Sequence, residues 1–222
     1  MSVGDVASDG TGVSANPPPG GLLFPVGHYL GAVYPGAEEP PAYHRLRVGD
    51  SVVRLFSEEE FGLWVLAHGL PGRPVDQPWT LAALAESVRR RDGRDVTPLL
   101  HELLAEGALA EVTPGTGDAV AFAHAHRFRS LLTGLGMSPD DPERFLLGLL
   151  GRPLAMVDEP TYELWQWAPL HASIWDVCRA LAEVDPGPGG RPGDPELRLT
   201  EVLGRLQVLI ASSAGYLDEV RR

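Results

Sequence analysis

Two histidines, His124 and His126, form the closest pair of potential metal ligands in the sequence. Side chains two residues apart share one face of a strand but diverge on a helix. A zinc site needs three or four ligands, and no further cluster of Asp, Glu or His lies near this pair. The spacing therefore favours a surface pair at a strand end over a metal site, and we expect neither a bound metal nor a cofactor.

The motifs of the common enzyme classes are missing from the sequence. It contains no Gly-x-Ser-x-Gly elbow, Walker loop or Rossmann glycine fingerprint. The glycine-rich runs 114–117 and 187–193 are predicted as a wing tip and a linker, since neither is expected between a strand and a helix, where phosphate cradles form. Glu58, Glu59 and Glu60 are expected to begin a helix and to interact favourably with its dipole. We therefore predict that the protein is not an enzyme.

The single cysteine, Cys178, excludes a disulfide within the chain and a cysteine-based zinc site. It lies in an apolar helical pattern, where a buried, unreactive thiol is a commoner finding than a reactive one. We expect Cys178 to be buried.

The charge balance bears on the class of partner. The 222-residue chain has 18 basic and 30 acidic residues, a net charge of −12, and contains no lysine. Nucleic-acid binding depends largely on clustered cationic side chains, so this balance disfavours DNA. One compact basic patch nevertheless comprises Arg89, Arg90, Arg91 and Arg94. The patch could contact phosphates, dock an acidic peptide or form a solvated turn.

The first 42 residues are irregular in composition. Residues 1–20, rich in Gly, Ser and Pro, are predicted to be a disordered arm. Residues 21–42 are apolar but interrupted by Gly and Pro; we expect an ordered strap that crosses its own protomer or docks on a partner, as in a homodimer. No signal peptide is recognised, and no apolar run approaches the ~20 residues that span a bilayer. We expect a cytoplasmic location and no membrane contact.

A regular module is predicted over residues 43–123. Alternating strands on either side of Gly49-Asp50 indicate a β-hairpin. Ser57 and Glu60 form a capping box that begins the first of three helices. A second hairpin around 114–118 is expected to cover the open side of these helices. A leading strand, three helices and a hairpin together indicate a winged helix-turn-helix.

The same pattern recurs over residues 153–222. Tyr162-Glu-Leu-Trp repeats Phe61-Gly-Leu-Trp at an offset of 101, and Ser173-Ile repeats Thr80-Leu at an offset of 93. The second wing is expected to be truncated because the sequence given ends there. Residues 124–152 are predicted as a helical connector, with a helix over 139–150.

Because five elements recur in the same order, we predict an α+β fold that is mainly helical, with two winged helix-turn-helix modules in tandem. A winged helix raises the expectation of DNA binding, and Arg89, Arg90, Arg91 and Arg94 are the candidate DNA contacts. The expected recognition helix, 96–106, carries glutamates that repel phosphates, and the wing has no Arg. A protein partner is therefore favoured over DNA.

Three stretches of the first module resemble a known family: Val48-Gly-Asp-Ser-Val-Val-Arg-Leu-Phe-Ser-Glu-Glu-Glu-Phe-Gly-Leu-Trp, Thr80-Leu-Ala-Ala-Leu-Ala and Leu99-Leu-His-Glu-Leu-Leu-Ala-Glu-Gly-Ala-Leu. They are similar to the PqqD-type peptide-recognition domain over residues 43–112. The resemblance implies a winged-helix module that binds the leader of a ribosomally made peptide as an added strand. That peptide would lie along 51–56 and against the third helix. The implied contacts are Val52, Val53, Arg54, Arg90, Arg91 and Arg94.

Three functional hypotheses follow. The first is a non-enzymatic adaptor that binds a peptide or protein partner, in a pathway of peptide modification if the resemblance extends to function. The second is a dimeric DNA-binding regulator. The third is a non-catalytic subunit of an enzyme complex, whose chemistry belongs to another chain.

Overall fold

In the computed structural model, residues 20–72, 74, 77–184 and 193–220 are described. Within these ranges the chain forms seven α-helices and ten strands, and is 42% helical and 29% strand. The strands form four small antiparallel sheets. The prediction of a mainly helical fold is therefore wrong, because segments expected to be helical or irregular form strands. The predicted arm at 1–19 and most of the predicted linker at 185–193 lie outside the described residues.

The first half of the chain begins with four strands, continues with three helices and ends with a fifth strand. These are β1 (Leu22–Pro25), β2 (His28–Val33), β3 (Tyr43–Val48), β4 (Ser51–Leu55), α1 (Glu58–Leu66), α2 (Leu81–Asp92), α3 (Thr97–Ala105) and β5 (Leu109–Val112). Strands β2, β3 and β4 form an antiparallel meander, and β1 pairs with β5.

The second half repeats this order after a connecting helix, α4 (Gly117–Ala125). The elements are β6 (His126–Ser130), β7 (Thr133–Met137), β8 (Arg144–Leu149), β9 (Arg152–Asp158), α5 (Glu159–Trp167), a 3-10 turn (Ala168–Leu170), α6 (Ile174–Val184), α7 (Pro195–Ala211) and β10 (Gly215–Glu219). Strands β7, β8 and β9 form the second meander, and β6 pairs with β10. An offset of 101 relates β3 to β8 and α1 to α5.

Local signals in the sequence account for several of these boundaries. The β3–β4 hairpin is confirmed, and its turn places Gly49 at φ +57°, which glycine adopts without steric cost. The capping box is also confirmed: the Glu60 N–H donates to Ser57 Oγ, and the Glu60 carboxylate accepts from the Ser57 N–H. Thr80 caps α2 in the expected way. Short-range capping chemistry therefore fixes where α1 and α2 begin.

The predicted wing at 114–118 is wrong. Strand β5 pairs with β1 instead of a following strand, and residues 117–125 form α4. Thr116 caps this helix by accepting from the Ala119 N–H at 3.3 Å. The alternating run Ala119-Val-Ala-Phe-Ala looked like a strand, but alanine is the strongest helix former. In the second module β10 pairs with β6, and its described residues form no wing either, so the winged helix-turn-helix assignment does not describe this fold.

The predicted helical connector at 124–152 is also wrong, since most of it forms β6, β7 and β8. Phe145 and Leu147 alternate toward the core with polar or outward positions between them, which is the period of a strand. Gly151 then allows a tight turn into β9 at φ +76°. The strap at 21–42 is likewise part of the fold and supplies β1 and β2.

The paired strands β1 and β5 form a layer shared by two hydrophobic cores. Leu22 and Phe24 point into the core of the second half, whereas Leu23 points into the core of the first half. On β5, Leu109 packs in the core of the first half and Val112 packs in the core of the second half. Opposite faces of one strand thus belong to different cores, so each half depends on residues 22–25 for its packing.

A buried carboxylate joins the halves at a second place. Asp218 of β10 is 1% exposed and accepts hydrogen bonds from the Gly49 N–H at 2.9 Å, Arg47 at 3.1 Å and Arg127 at 3.2 Å. Burial alone raises the pKa of Asp218, but the Gly49 hydrogen bond and the two guanidinium groups outweigh burial and lower it. Asp218 is therefore ionised and fully partnered at neutral pH.

Gln207 of α7 makes a third connection between the halves. Its side-chain amide donates to the carbonyls of Leu23 at 3.0 Å and Trp79 at 2.7 Å, and its carbonyl accepts from the Trp79 N–H at 3.0 Å. Trp79 in turn donates its indole N–H to Leu66. The third helix of the second half is thereby attached to β1 and to the segment that precedes α2.

We predict that Phe24→Ala lowers the free energy of unfolding by about 3–5 kcal/mol, because Phe24 is fully buried and its loss leaves a cavity. Urea denaturation followed by tryptophan fluorescence measures this change. Leu30→Ala on β2, which is 40% exposed, is the control and should cost much less. Equal losses in the two variants would contradict the shared-layer packing.

We predict that Asp218→Asn costs about 3–5 kcal/mol at pH 7, since it leaves two guanidinium groups beside an uncharged partner. The folded-state pKa of Asp218 is depressed, so its contribution is complete above the unfolded-state value near 3.8 and is lost as pH falls through the folded-state pKa. The stability difference between wild type and variant should therefore shrink below about pH 4. Denaturation at pH 7 and pH 3 measures it, with exposed Asp140→Asn as the control. A stability difference between wild type and Asp218→Asn that is the same at pH 7 and pH 3 would refute the ionic role of Asp218.

Candidate functional site: an open strand edge beside helix α7

The structure separates the residues implied by the family resemblance into two groups. Val52, Val53 and Arg54 lie on β4, which pairs with β3 on one side and with no strand of the described residues on the other. Val53 packs against the first core, while Val52 and Arg54 are exposed on the outer face of the sheet. The Arg54 guanidinium lies 5.2 Å from the centre of the Tyr43 ring. The β4 edge is thus open, as the resemblance requires.

The basic patch lies at the end of α2 and is neutralised locally. Arg89 and Arg90 form ion pairs with Glu86. Arg91 pairs with Asp92 at 3.0 Å, and Arg94 pairs with Glu59 of α1 at 2.7 Å and with Asp92. Among the residues that the structure describes, no hydrogen bond or ion pair connects these arginines to β4. Arg94 thus contacts the start of α1, and these arginines make no direct polar contact with β4 among the described residues.

Helix α3, the expected recognition helix, presents an acidic surface. Glu102 and Glu106 lie on its exposed side. Burial raises the pKa of Glu106, and the nearby charges of Glu60 and Glu102 raise it further. Three carboxylates thus lie close together between α3 and the start of α1. This surface repels a phosphate backbone and gives the DNA hypothesis no support.

The histidine pair is divided between two elements. His124 is exposed near the end of α4, and His126 opens β6, where its ring stacks on Phe122 at 4.1 Å and its Nδ1 is 2.9 Å from the Phe122 carbonyl. Within the described ranges, no group of three His, Cys, Asp or Glu side chains is arranged to hold a metal ion. None of the described helices is both long and apolar enough to cross a bilayer.

The glycine-rich run at 114–117 connects β5 to α4, so the prediction that it does not lie between a strand and a helix is wrong. Gly115 adopts φ +77°, and Thr116 occupies the N-cap of α4. The first turn of α4 carries Asp118, whose charge opposes an anion at this helix terminus. A strand–glycine–helix connection alone does not make a phosphate site, and nothing else in this loop indicates one.

Strand β9 forms the best candidate edge, although the sequence predicts no site residue on it. It pairs with β8 on one side only within the described residues, and its ladder is regular from Ala155 to Asp158. Leu154 and Met156 are 50% and 54% exposed on the outer face. Edge strands with exposed apolar side chains are templates for an added strand. The edge strands β2 and β7 have register shifts between Tyr29 and Gly31 and between Gly134 and Gly136, and β9 has one at Leu154, before its regular stretch.

A groove with a volume of ≈ 700 Å³ runs between β9 and α7. Leu154, Met156 and Val157 form one wall, and Val208 and Ser212 of α7 form the other. Unpaired backbone groups along one wall and apolar side chains on both are the features that a bound extended peptide uses.

The charges of this groove are few and mostly paired. Asp158 accepts from Arg205 at 3.1 Å and from the Thr161 N–H at 3.0 Å. Burial alone raises the pKa of Asp158, but these hydrogen bonds and the Arg205 charge outweigh burial and lower it. Asp158 therefore serves as the N-cap of α5 rather than as a proton donor at neutral pH. Arg144, at the end of the groove, makes no ion pair in the described part of the chain.

Comparisons with known proteins add no assignment: a scan against protein-family models gave no match, and searches of curated proteins and of solved structures gave no significant match.

We predict that Cys178 does not react with iodoacetamide in the native protein at pH 8. The side chain is fully buried, and burial raises the pKa of its thiol to about 12, which suppresses the nucleophilic thiolate. Mass spectrometry should show no adduct in buffer and one adduct after denaturation in urea. Rapid labelling of the folded protein would contradict the packing of α6.

Proposed function

We propose that the protein is a non-enzymatic, cytoplasmic adaptor that binds an extended peptide as an additional strand along β9. The observation that carries the proposal is the regular, unpaired edge from Ala155 to Asp158, which borders the groove facing α7. The PqqD-type resemblance, which implied strand addition at residues 51–56 of the first half, suggests the leader of a ribosomally made peptide as the ligand class.

The β9 edge suits an apolar peptide better than the β4 edge does. Glu60 accepts from the Phe56 N–H just after β4 and lies near Glu102 and Glu106; burial, and then the charges of Glu60 and Glu102, raise the pKa of Glu106. The groove at β9 is bordered by aliphatic side chains and by one unpaired cation, Arg144. A ligand with apolar residues at alternate positions and one acidic residue near Arg144 satisfies both the groove and the strand edge.

A selection experiment tests this proposal without a known ligand. Random peptides displayed on phage are selected on the wild-type protein and counter-selected on Leu154→Asp/Met156→Asp. We expect enriched peptides with alternating apolar residues, because the groove accepts every second side chain of a strand. Fluorescence anisotropy should show that the double variant loses about tenfold or more in affinity, as expected when two charges border an apolar contact.

The matched control is Leu170→Asp/Leu197→Asp, which alters two residues that are 72% and 69% exposed and lie outside the groove. It should retain full affinity. Hydrogen exchange with bound peptide should show protection of the β9 amides and none at β4. Enrichment that is insensitive to the groove variant, or tight salt-sensitive binding to duplex DNA with no peptide enrichment, would sink the proposal.

A further inference from the structure

The outer face of the first meander carries two arginines in direct opposition. Arg45 of β3 and Arg54 of β4 are cross-strand partners, so their side chains project from the same face. Like charges directly opposite each other destabilise a sheet. Neither arginine makes a salt bridge in the described part of the chain, and the only ring contact of Arg54 is with Tyr43.

The line of cations continues across the junction between the halves. Arg47 lies two residues after Arg45, on the same face of β3, and shares Asp218 with Arg127 of β6. Arg129, two residues after Arg127, borders the same cleft, which has a volume of ≈ 500 Å³. We name these five residues, Arg54, Arg45, Arg47, Arg127 and Arg129, the arginine stripe. Asp218 is the one carboxylate that neutralises it among the described residues.

Two guanidinium nitrogens of the stripe are buried without a partner. These are the Nε atoms of Arg45 and Arg127. A buried donor without an acceptor is costly, and native structures contain few of them. Together with the opposed pair, these atoms show that the stripe is incompletely satisfied in the isolated chain. In a protein with a net charge of −12, a stripe of five arginines with one neutralising carboxylate among the described residues is a specific feature rather than a consequence of composition.

We propose that the arginine stripe binds an extended, acidic polypeptide segment of a protein partner. Arg45 and Arg47, and again Arg127 and Arg129, are two residues apart on a strand, a spacing of about 6.6 Å. Carboxylates at alternate positions of an extended segment have the same spacing, and the planar guanidinium can donate two parallel hydrogen bonds to one carboxylate. The partner proposed for the stripe is therefore acidic, whereas the peptide proposed for the β9 groove is mainly apolar.

A short acidic segment fits this surface better than a nucleic acid does. A long polyanion has to extend beyond the stripe, where it meets the acidic remainder of a chain with 30 acidic and 18 basic residues. Charge complementarity therefore favours a short acidic segment of a polypeptide.

The second half supports the assignment by contrast. Leu146 of β8 and Met156 of β9 oppose each other at the place that corresponds to Arg45 and Arg54, since Arg45 and Leu146 are each the third residue of their strands. Equivalent positions thus carry paired cations in one meander and paired apolar side chains in the other. The stripe is a property of the first half and is independent of the β9 groove, so each proposal can fail without the other.

The test uses a fluorescein-labelled peptide of alternating Glu and Thr as the probe and the matching Gln–Thr peptide as the uncharged control. We expect the Glu–Thr peptide to bind and the Gln–Thr peptide not to bind. Binding should weaken as salt rises from about 50 to about 300 mM, because salt screens the attraction between exposed charges. Arg45→Gln/Arg54→Gln should lose roughly tenfold or more in affinity, since two charge-assisted donors are removed.

The matched control is Arg90→Gln/Arg91→Gln, which removes the same charge from the locally paired patch on α2 and should bind within about twofold of wild type. The β9 variant Leu154→Asp/Met156→Asp should also bind the acidic probe. Equal losses in both arginine variants, no preference for Glu over Gln, or tighter binding of a single-stranded oligonucleotide of equal charge would each overturn the proposal. So would light scattering that shows a dimer broken by Arg45→Gln/Arg54→Gln without probe binding, which would assign the stripe to a second copy of the chain.

Thermal unfolding provides a readout that a purely structural role of the stripe would not produce. Arg45→Gln removes one member of the opposed pair and a buried, unpartnered Nε, so the free variant should melt at the wild-type temperature or above it. The acidic probe should raise the melting temperature of wild type and leave that of Arg45→Gln/Arg54→Gln unchanged. A marked fall in melting temperature for Arg45→Gln would contradict the view that Arg45 serves a partner.

Discussion

The ionised carboxylate of Asp218 sets the relation between the two halves of the molecule. It comes from β10, near the end of the second half, yet it holds the turn of the β3–β4 hairpin through Gly49 and Arg47 of the first half. A fully buried carboxylate is tolerated only with several charge-assisted partners in good geometry, and this requirement fixes the hairpin relative to β6 and β10. The same carboxylate neutralises part of the positive charge of Arg47 and Arg127. The other three arginines of the stripe have no neutralising carboxylate among the described residues.

The two meanders show how one arrangement of strands can present different chemistry. Inward positions are similar, because His44, Leu46, Phe145 and Leu147 all pack toward a core or are buried. Outward positions are free of this constraint, and there the first meander carries arginines where the second carries leucine and methionine. Packing thus preserves the fold in both halves, while the outer faces are available for different partners.

The sequence was sufficient for features decided by neighbouring residues. The hairpin at Gly49, the capping box at Ser57 and the three helices of each half follow from local chemistry and from the 3.6-residue period. Features decided by distant partners were missed. The run 119–123 has a strand-like alternation, yet its alanines form α4. The pattern of 124–152 predicts a helical connector where β6, β7 and β8 form, because nothing local marks the pairing of these strands. The β9 groove was missed for the same reason, since its second wall lies over 50 residues away in α7.

The groove also indicates why both halves are needed for one site. Pro71, Gly72 and Pro74, from the loop before α2, contribute to its lining together with β9 and α7. Gln207 of α7 donates hydrogen bonds to the carbonyls of Leu23 and Trp79. The first half therefore positions the helix that forms one wall of the groove. A single half would keep a meander and three helices but would lose both the loop and the anchor. The site on the second meander therefore requires both halves. The offset between corresponding residues is 101 up to α1 and α5 but 93 at α2 and α6, and this difference of eight residues corresponds to the loop before α2 that the first half contributes.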